Sequence, residues 1–279
     1  MSRLADDAGR GIELRAVTAV VLGVLLAWQL LVWLTAVPAF ILPAPLAVGR
    51  ALLEQPRLLL ANAAVTSAEI IAGLLLGTLL GIASAVLLVS VRSARRWALP
   101  LMVISQSLPV FALAPVLTLW FGYGIGSKIV MATLIIYFPV VAAAFDGLRH
   151  TPDAMLDLAD TLGAGAFATL VHVRLPAALP SIASGVRVAA SVAPIGAVVG
   201  EWVGASRGLG HLMLNANGRM QTDLMFAALA CLAIVAVTVY ALVDAALDRA
   251  LYWQHDTATR SAPPSRSPSP SSAPTPTRP

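Results

Sequence analysis

Charge is the scarcest property of this chain. Only 11% of its 279 residues are Asp, Glu, Lys or Arg, against 58% hydrophobic, and the mean hydropathy is +0.84. A soluble domain carries about a quarter charged residues, so that class is excluded. Cysteine is nearly absent too. Cys231 stands alone in an apolar run, which rules out an intrachain disulfide and a cysteine-built metal site. The four histidines, His150, His172, His211 and His255, are dispersed without the spacing of zinc ligands. A phosphate-binding loop is also missing. The nearest stretch, Gly122-Tyr-Gly-Ile-Gly-Ser-Lys128, has Ile129 where a hydroxyl must follow the lysine. A convincing cleavage site is lacking after the first apolar run. Thr35-Ala-Val37 before Pro38 is a poor one, so the run is expected to be an anchor rather than a signal peptide.

What the chain does have is apolar length. About 20 helical residues cross roughly 30 Å of hydrocarbon. Runs of that size lie at about 16–37, 65–91, 99–121, 129–148, 177–203 and 224–247. The third is interrupted by Gln106, Pro109 and Pro115. The expected fold is all-α and polytopic, with about six transmembrane helices. A polar segment, 1–15, precedes the membrane domain at 16–253. Residues 257–279, rich in Ser and Pro, have too few large apolar groups to offset ordering entropy and are expected to be a disordered tail.

Six spans put both termini on one side, and basic residues decide which. Arg3, Arg10, Arg15, Arg92, Arg95, Arg96, Arg149, Arg174, Arg249 and the tail arginines fall on the N-terminal side. Only Arg50, Arg57, Lys128, Arg207 and Arg219 fall opposite. The N- and C-termini are therefore expected in the cytoplasm. The net charge of +4 and the pI near 9.8 are explained by these loops, without nucleic acid.

The loop at 149–176 lies on the same side. Thr151 before Pro152 marks a helix start, and Asp153 suits its positive end. Met155, Leu158, Ala159 and Leu162 recur with helical period, making one apolar stripe. Asp153, Asp157 and Asp160 share another face, and Gly163 and Gly165 end the helix. A second short helix is expected from Ala166 to Leu175, with a turn at Pro176. An interfacial helix lying on lipid is the plain alternative. An acidic face beside anionic headgroups is unfavourable, which points instead to a groove in a protein.

The loop resembles that of binding-protein-dependent ABC importer permeases, whose pattern is Glu-Ala-Ala, three residues, Gly, nine residues, Ile, one residue, Leu-Pro. Asp157 stands for Glu, Leu158 for the first Ala and Val173 for Ile, while Ala159, Gly163, Leu175 and Pro176 match. Leu42-Pro-Ala-Pro45, Leu119-Trp-Phe-Gly-Tyr-Gly124 and Gly208-Leu-Gly210 extend the resemblance over most of 14–253. It implies a type I importer permease fold in a bacterial inner membrane. It implies a cytoplasmic ABC ATPase docked on Asp157, Ala159, Asp160, Gly163, Val173, Leu175 and Pro176. It also implies a periplasmic or lipid-anchored solute-binding protein and a second permease copy, most simply a homodimer. The chain itself would bind no cofactor, ATP being used by the ATPase.

Charged and small residues within the spans point to the solute path or to packing. Glu69, Arg187 and Glu201 are ionisable groups in or near apolar spans, where charges are expensive. Glu69 and Glu201 lie near the outer ends and can snorkel. Arg187 is deeper and needs a partner that the sequence does not name. Gly73, Gly77 and Gly81 suit close helix packing, within the subunit in preference to a dimer. Gly196 and Gly200 continue such a stripe on a span that lines the path in the resembled family. With Glu69, Gln106, Arg187 and Glu201 they are the path candidates.

Two other classes fit less well. An intramembrane enzyme needs a converging nucleophile and base, and a proton-coupled transporter needs several buried acids and often two related halves. The sequence offers neither. As to solute, Ala193-Pro-Ile-Gly-Ala-Val-Val-Gly-Glu-Trp202 and Asn215-Ala-Asn-Gly-Arg-Met-Gln-Thr-Asp-Leu-Met-Phe226 resemble permeases for hydroxymethylpyrimidine-type thiamine precursors. Thr66-Ser-Ala-Glu69 fits that branch, since many sulfonate permeases carry an arginine nearby. Sulfonate, taurine or nitrate uptake is the alternative.

Overall fold

A computed structural model describes residues 2–91, 96 and 109–252. Helix α1 (Ser2–Thr35) leads through a Pro-rich connector to α2 (Pro45–Glu54) and α3 (Pro56–Ser90). Next come α4 (Val110–Phe121), α5 (Ile125–Arg149), α6 (Asp153–Thr161) and α7 (Ala166–Thr169). A π-helical turn, Leu170–Arg174, runs into α8 (Leu175–Gly204), followed by α9 (Leu209–Gly218) and α10 (Thr222–Ala250). Among the described residues, five helical stretches are long and apolar enough to cross a membrane: Thr18–Thr35, Pro56–Ser90, Ile125–Arg149, Ala166–Gly204 and Thr222–Ala250. The sixth expected span is represented by α4. Its first half, with Gln106, lies outside the described residues, as do Arg92, Arg95 and the tail at 257–279.

Proline and glycine punctuate the chain. Pro45 and Pro56 sit in the first turns of α2 and α3, where a missing N–H costs nothing. The 35 residues of α3 span about 52 Å at 1.5 Å per residue, more than a bilayer core. It begins at Pro56, ahead of the apolar run expected from about 65, and α2 is a separate short helix before it. Gly122, at φ 76°, reverses the chain between α4 and α5. Thr222 donates to the Ala39 carbonyl (2.8 Å), pinning the start of α10 to the connector.

The core is a three-helix sandwich with α5 between α3 and α8. Ile70, Leu74, Ile136, Val140, Ile182 and Ala189 are among the buried side chains that fill it. The glycine stripe of α3 makes the close approach. A Cβ at Gly73 would stand 2.5 Å from Ala132 Cβ, one at Gly77 2.6 Å from Ile136 Cγ2, and one at Gly81 2.8 Å from Val140 Cγ1. The expectation of packing within the subunit holds. A second cluster joins α2, α9 and α10, with Trp28 of α1 against Phe226 at 5.6 Å between ring centroids.

Two local expectations are corrected. Pro176 does not turn the chain: helix continues from α7 through the π turn into α8. The Leu175 N–H bonds to the Leu170 carbonyl, five residues back, so the ladder is loosened just where Pro176 has no N–H to give. Thr151 does not cap α6. It is buried and donates back to Leu148 O (3.3 Å), leaving Pro152 at the cap position.

Candidate functional site

The loop at 149–176 is built around α6. Nine residues make it, and Gly163, at φ 73°, ends it in a left-handed turn. Ala164 N–H reaches Ala159 O (2.9 Å) and Gly163 N–H reaches Asp160 O (3.0 Å), the paired bonds of a Schellman stop. A Cβ at Gly163 would meet nothing within 4 Å, so the glycine serves backbone conformation. Gly165 starts α7 at φ −69°, which any residue adopts.

The apolar stripe of α6 is left uncovered. Ala159 is 5% exposed, whereas Met155 is 50%, Leu158 60% and Leu162 77% exposed. These side chains line a 450 Å³ cavity with His172, Val173, Pro176 and Ala177. Asp157, Asp160, Gly163 and Pro176 are exposed, while Val173 and Leu175 are half-buried. The resembled loop residues thus gather in one projecting unit.

Among the described residues, ion pairs within the long helices fall in two places. Near the outer ends of α3, α5 and α8, Glu69 and Glu201 are both 0% exposed and Lys128 is 5% exposed. Lys128 Nζ lies 3.8 Å from Glu69 Oε1. Glu201 Oε1 accepts the Thr66 hydroxyl (2.6 Å), and its Oε2 accepts the N–H groups of Gly210 (2.5 Å) and His211 (3.2 Å). Thr66 Oγ1 in turn accepts the Leu209 N–H (2.8 Å), and Asn62 Oδ1 accepts the Gly208 N–H (2.8 Å). Gly208 has φ 121°, and a Cβ there would strike the Glu201 carboxylate. The α8–α9 turn is therefore clamped by α3 and α8 together.

Neither carboxylate snorkels. Lys128, which the sequence places in an outer loop, is an interior counter-charge. Asn62 and His211 have no sequence signal of their own. The lone lysine opening an apolar run was the available sign of a buried partner for Glu69.

Toward the inner side, Arg187 Nε donates to Asp244 Oδ1 and Arg187 Nη2 to Asp248 Oδ1, each at 2.5 Å. The two aspartates are four residues apart on α10 and so share a face. Arg187 lies about 25 Å along α8 from Gly204 and is half-buried, so the partner it was expected to need is supplied by α10.

The glycine stripe of α8 is a packing face. A Cβ at Gly196 would stand 2.8 Å from Ala132 Cα, and one at Gly200 3.1 Å from Lys128 Cα. Both glycines press on the α5 backbone, so neither lines an open path; nor do the buried Glu69 and Glu201 in this conformation. The side α8 leaves uncovered carries Ser184, Val188, Ser191, Ile195 and Trp202, all exposed. Their spacings of 4, 3, 4 and 7 keep them on one helix face.

Residues 77–252 match the family described as "Binding-protein-dependent transport system inner membrane component". The chain belongs to that family. A "Probable ABC transporter permease protein" of Haemophilus influenzae is 55% identical over 233 residues, 83% of this chain and 95% of that protein. A "Formylaminopyrimidine transport permease protein ThiX" of Halalkalibacterium halodurans is 33% identical over 77% of this chain and 86% of its own. A "Riboflavin transport system permease protein RibX" of Chloroflexus aurantiacus is 35% identical over 77% and 81%. In fold, the chain is similar to an inward-facing MetNI methionine ABC transporter chain, with a TM-score of 0.61 at 21% identity, covering 70% of this chain and 98% of that one. This permease is a multi-pass inner-membrane component of an ABC transporter, all-helical and non-catalytic.

Proposed function

We propose that this permease conducts a pyrimidine of the thiamine-precursor type and is driven by a separate ABC ATPase through the loop at 149–176. The exposed apolar stripe of α6 supports the coupling role. Met155, Leu158 and Leu162 on a cytoplasmic projection leave apolar area in water unless a partner covers it. Asp157, Ala159, Asp160, Gly163, Val173, Leu175 and Pro176 belong to that docking unit, ATP remaining with the ATPase. Two permease copies, most simply identical, would face each other across the free side of α8, so that Ser184, Val188, Ser191 and Ile195 line the solute path. A solute-binding protein would deliver from the outer side. The domain division follows: membrane domain at 16–253, flanked by an N-terminal segment and a C-terminal tail.

Similarity to the formylaminopyrimidine permease over most of both chains supports the solute class. Riboflavin, named for a comparably similar relative, also contains a pyrimidine ring within its fused system. The test is ATP-dependent uptake into proteoliposomes holding permease, ATPase and binding protein. Hydroxymethylpyrimidine should accumulate with ATP and not without it. Tight binding of an alkanesulfonate by the partner binding protein, with none of a pyrimidine, would overturn the solute assignment. Gly163→Val should abolish uptake while membrane insertion stays normal. A left-handed β-branched residue costs about 1–2 kcal/mol, enough to reshape the end of α6 but not to unfold the bundle. Full uptake by that variant would remove the loop from the coupling role.

A further inference from the structure

The buried charges do not balance. Among the described residues, the buried charged side chains are Glu69, Lys128 and Glu201, two acids and one base. They make one cluster. Thr66, whose hydroxyl donates to Glu201, lies one turn before Glu69 on α3, and Lys128 Nζ stands 3.8 Å from Glu69 Oε1. The two carboxyl groups are electrostatic neighbours. Fully ionised, the cluster would hold one uncompensated negative charge away from water, which is costly.

The elements around it bring no second cation among the described residues. From α9 comes His211, whose ring nitrogen Nε2 is taken up by Asn215 at 2.7 Å. Helix α4 has no ionisable residue, and the stretch 97–108 before it contains none in sequence. Arg50 and Glu54 of α2, Arg57 of α3 and Asp223 of α10 are exposed, as are Arg207 and Arg219 of the outer turns. Asp244 and Asp248 of α10 are paired with Arg187.

Hydrogen bonding tells the two acids apart. Glu201 accepts the Thr66 hydroxyl and the Gly210 and His211 N–H groups, a donor set that favours the ionised form. Neither oxygen of Glu69 has a hydrogen-bond partner among the described residues, and 3.8 Å to Lys128 is too long for one. A carboxylate ion needs donors, whereas a neutral acid needs only an acceptor for its O–H. The neighbouring Glu201 carboxylate has lone pairs to spare. We infer that this cluster is a proton-binding site: Glu69 holds one proton, Glu201 is the anion and Lys128 its counter-charge, for a net charge of zero. The inference does not depend on the solute or on the docking loop.

The test is thermal unfolding of the full chain across pH, in an ester-free detergent and at a fixed scan rate. A glutamate in the unfolded chain is ionised above about pH 5. Unfolding would then release the Glu69 proton, and rising pH would favour it. Relative to Glu69→Gln, the wild-type midpoint should fall by about 3–5 °C per pH unit from about pH 5 to about pH 7. At neutral pH, Glu69→Gln puts a neutral amide in place of a neutral acid and should unfold no earlier than wild type. Lys128→Gln strips Glu201 of its counter-charge and should unfold earlier or fail to fold. Infrared spectra at neutral pH should show a protonated-carboxyl C=O band that Glu69→Gln removes. Parallel pH profiles for wild type and Glu69→Gln would overturn the site. So would a Glu69→Gln chain that fails to fold or unfolds as early as Lys128→Gln, since that is the behaviour of an ionised Glu69 paired with Lys128. A carboxyl band that survives Glu69→Gln would overturn the assignment of the proton to Glu69.

Discussion

Gly77→Ala should destabilise this protein, although alanine is the better helix former by about 1 kcal/mol. Gly77 lies mid-helix in α3, facing α5. An added Cβ would stand 2.6 Å from Ile136 Cγ2, 2.9 Å from Ile136 Cβ and 3.2 Å from the Thr133 carbonyl. The first atom could rotate away, but a β-branched side chain in a helix has essentially one rotamer. The second is fixed to the α5 backbone, so the helices must separate. Overpacking of a filled interface costs about 1–3 kcal/mol. The 2.6 and 2.9 Å approaches put the cost at the upper end of that range; less the propensity gain, the net loss is up to about 2 kcal/mol, or up to about 8 °C in an unfolding midpoint for a domain of this size. The assay is thermal unfolding of the purified protein in detergent, monitored by tryptophan fluorescence at a fixed scan rate. Gly49→Ala is the internal control. Gly49 is helical in α2 with nothing within 4 Å of its would-be Cβ, so alanine there should raise the midpoint. Should both substitutions raise it, the close approach of α3 to α5 is wrong.

Two further outcomes follow from the charged networks. Thr66→Val removes the donor to Glu201 and the acceptor of the Leu209 N–H, two buried groups, for a loss of about 2–4 kcal/mol. Thr66→Ser keeps the hydroxyl and should lie within about 1 kcal/mol of wild type by the same midpoint; equal losses would count against the clamp. At the inner side, Asp244→Asn should cost about 1 kcal/mol and Asp248→Asn less, because Asp248 is 66% exposed against 39% for Asp244. Both losses should shrink in an Arg187→Gln background, as a double-mutant cycle would reveal; additive losses would deny the pairing.

The projecting loop was the most legible part of the chain. The helix of Met155, Leu158, Ala159 and Leu162 and its stop at Gly163 depend on neighbours a few residues away, which period and backbone chemistry report directly. Its continuation past Pro176 was not legible, because a proline in the first turn of α8 and one in a bend look the same in one dimension. The glycines of α3 and α8 were legible as small-residue stripes. On α3 the packing reading was right. On α8 the same pattern left packing and path open, and α5 lying against Gly196 and Gly200 decided for packing.

The apolar runs, the arginine asymmetry and the loop spacing belong to the sequence by itself. Each is a local property, set by what single helices and turns require of lipid, water and backbone. The partners of Glu69, Glu201 and Arg187 are another matter. Lys128 is 59 positions from Glu69, Thr66 is 135 from Glu201, and Asp244 is 57 from Arg187. Only the packing of α3, α5, α8 and α10 brings these groups together, and a buried charge is stable only where its partner arrives with it. Sequence period records which face of a helix is apolar, but not which helix will cover it.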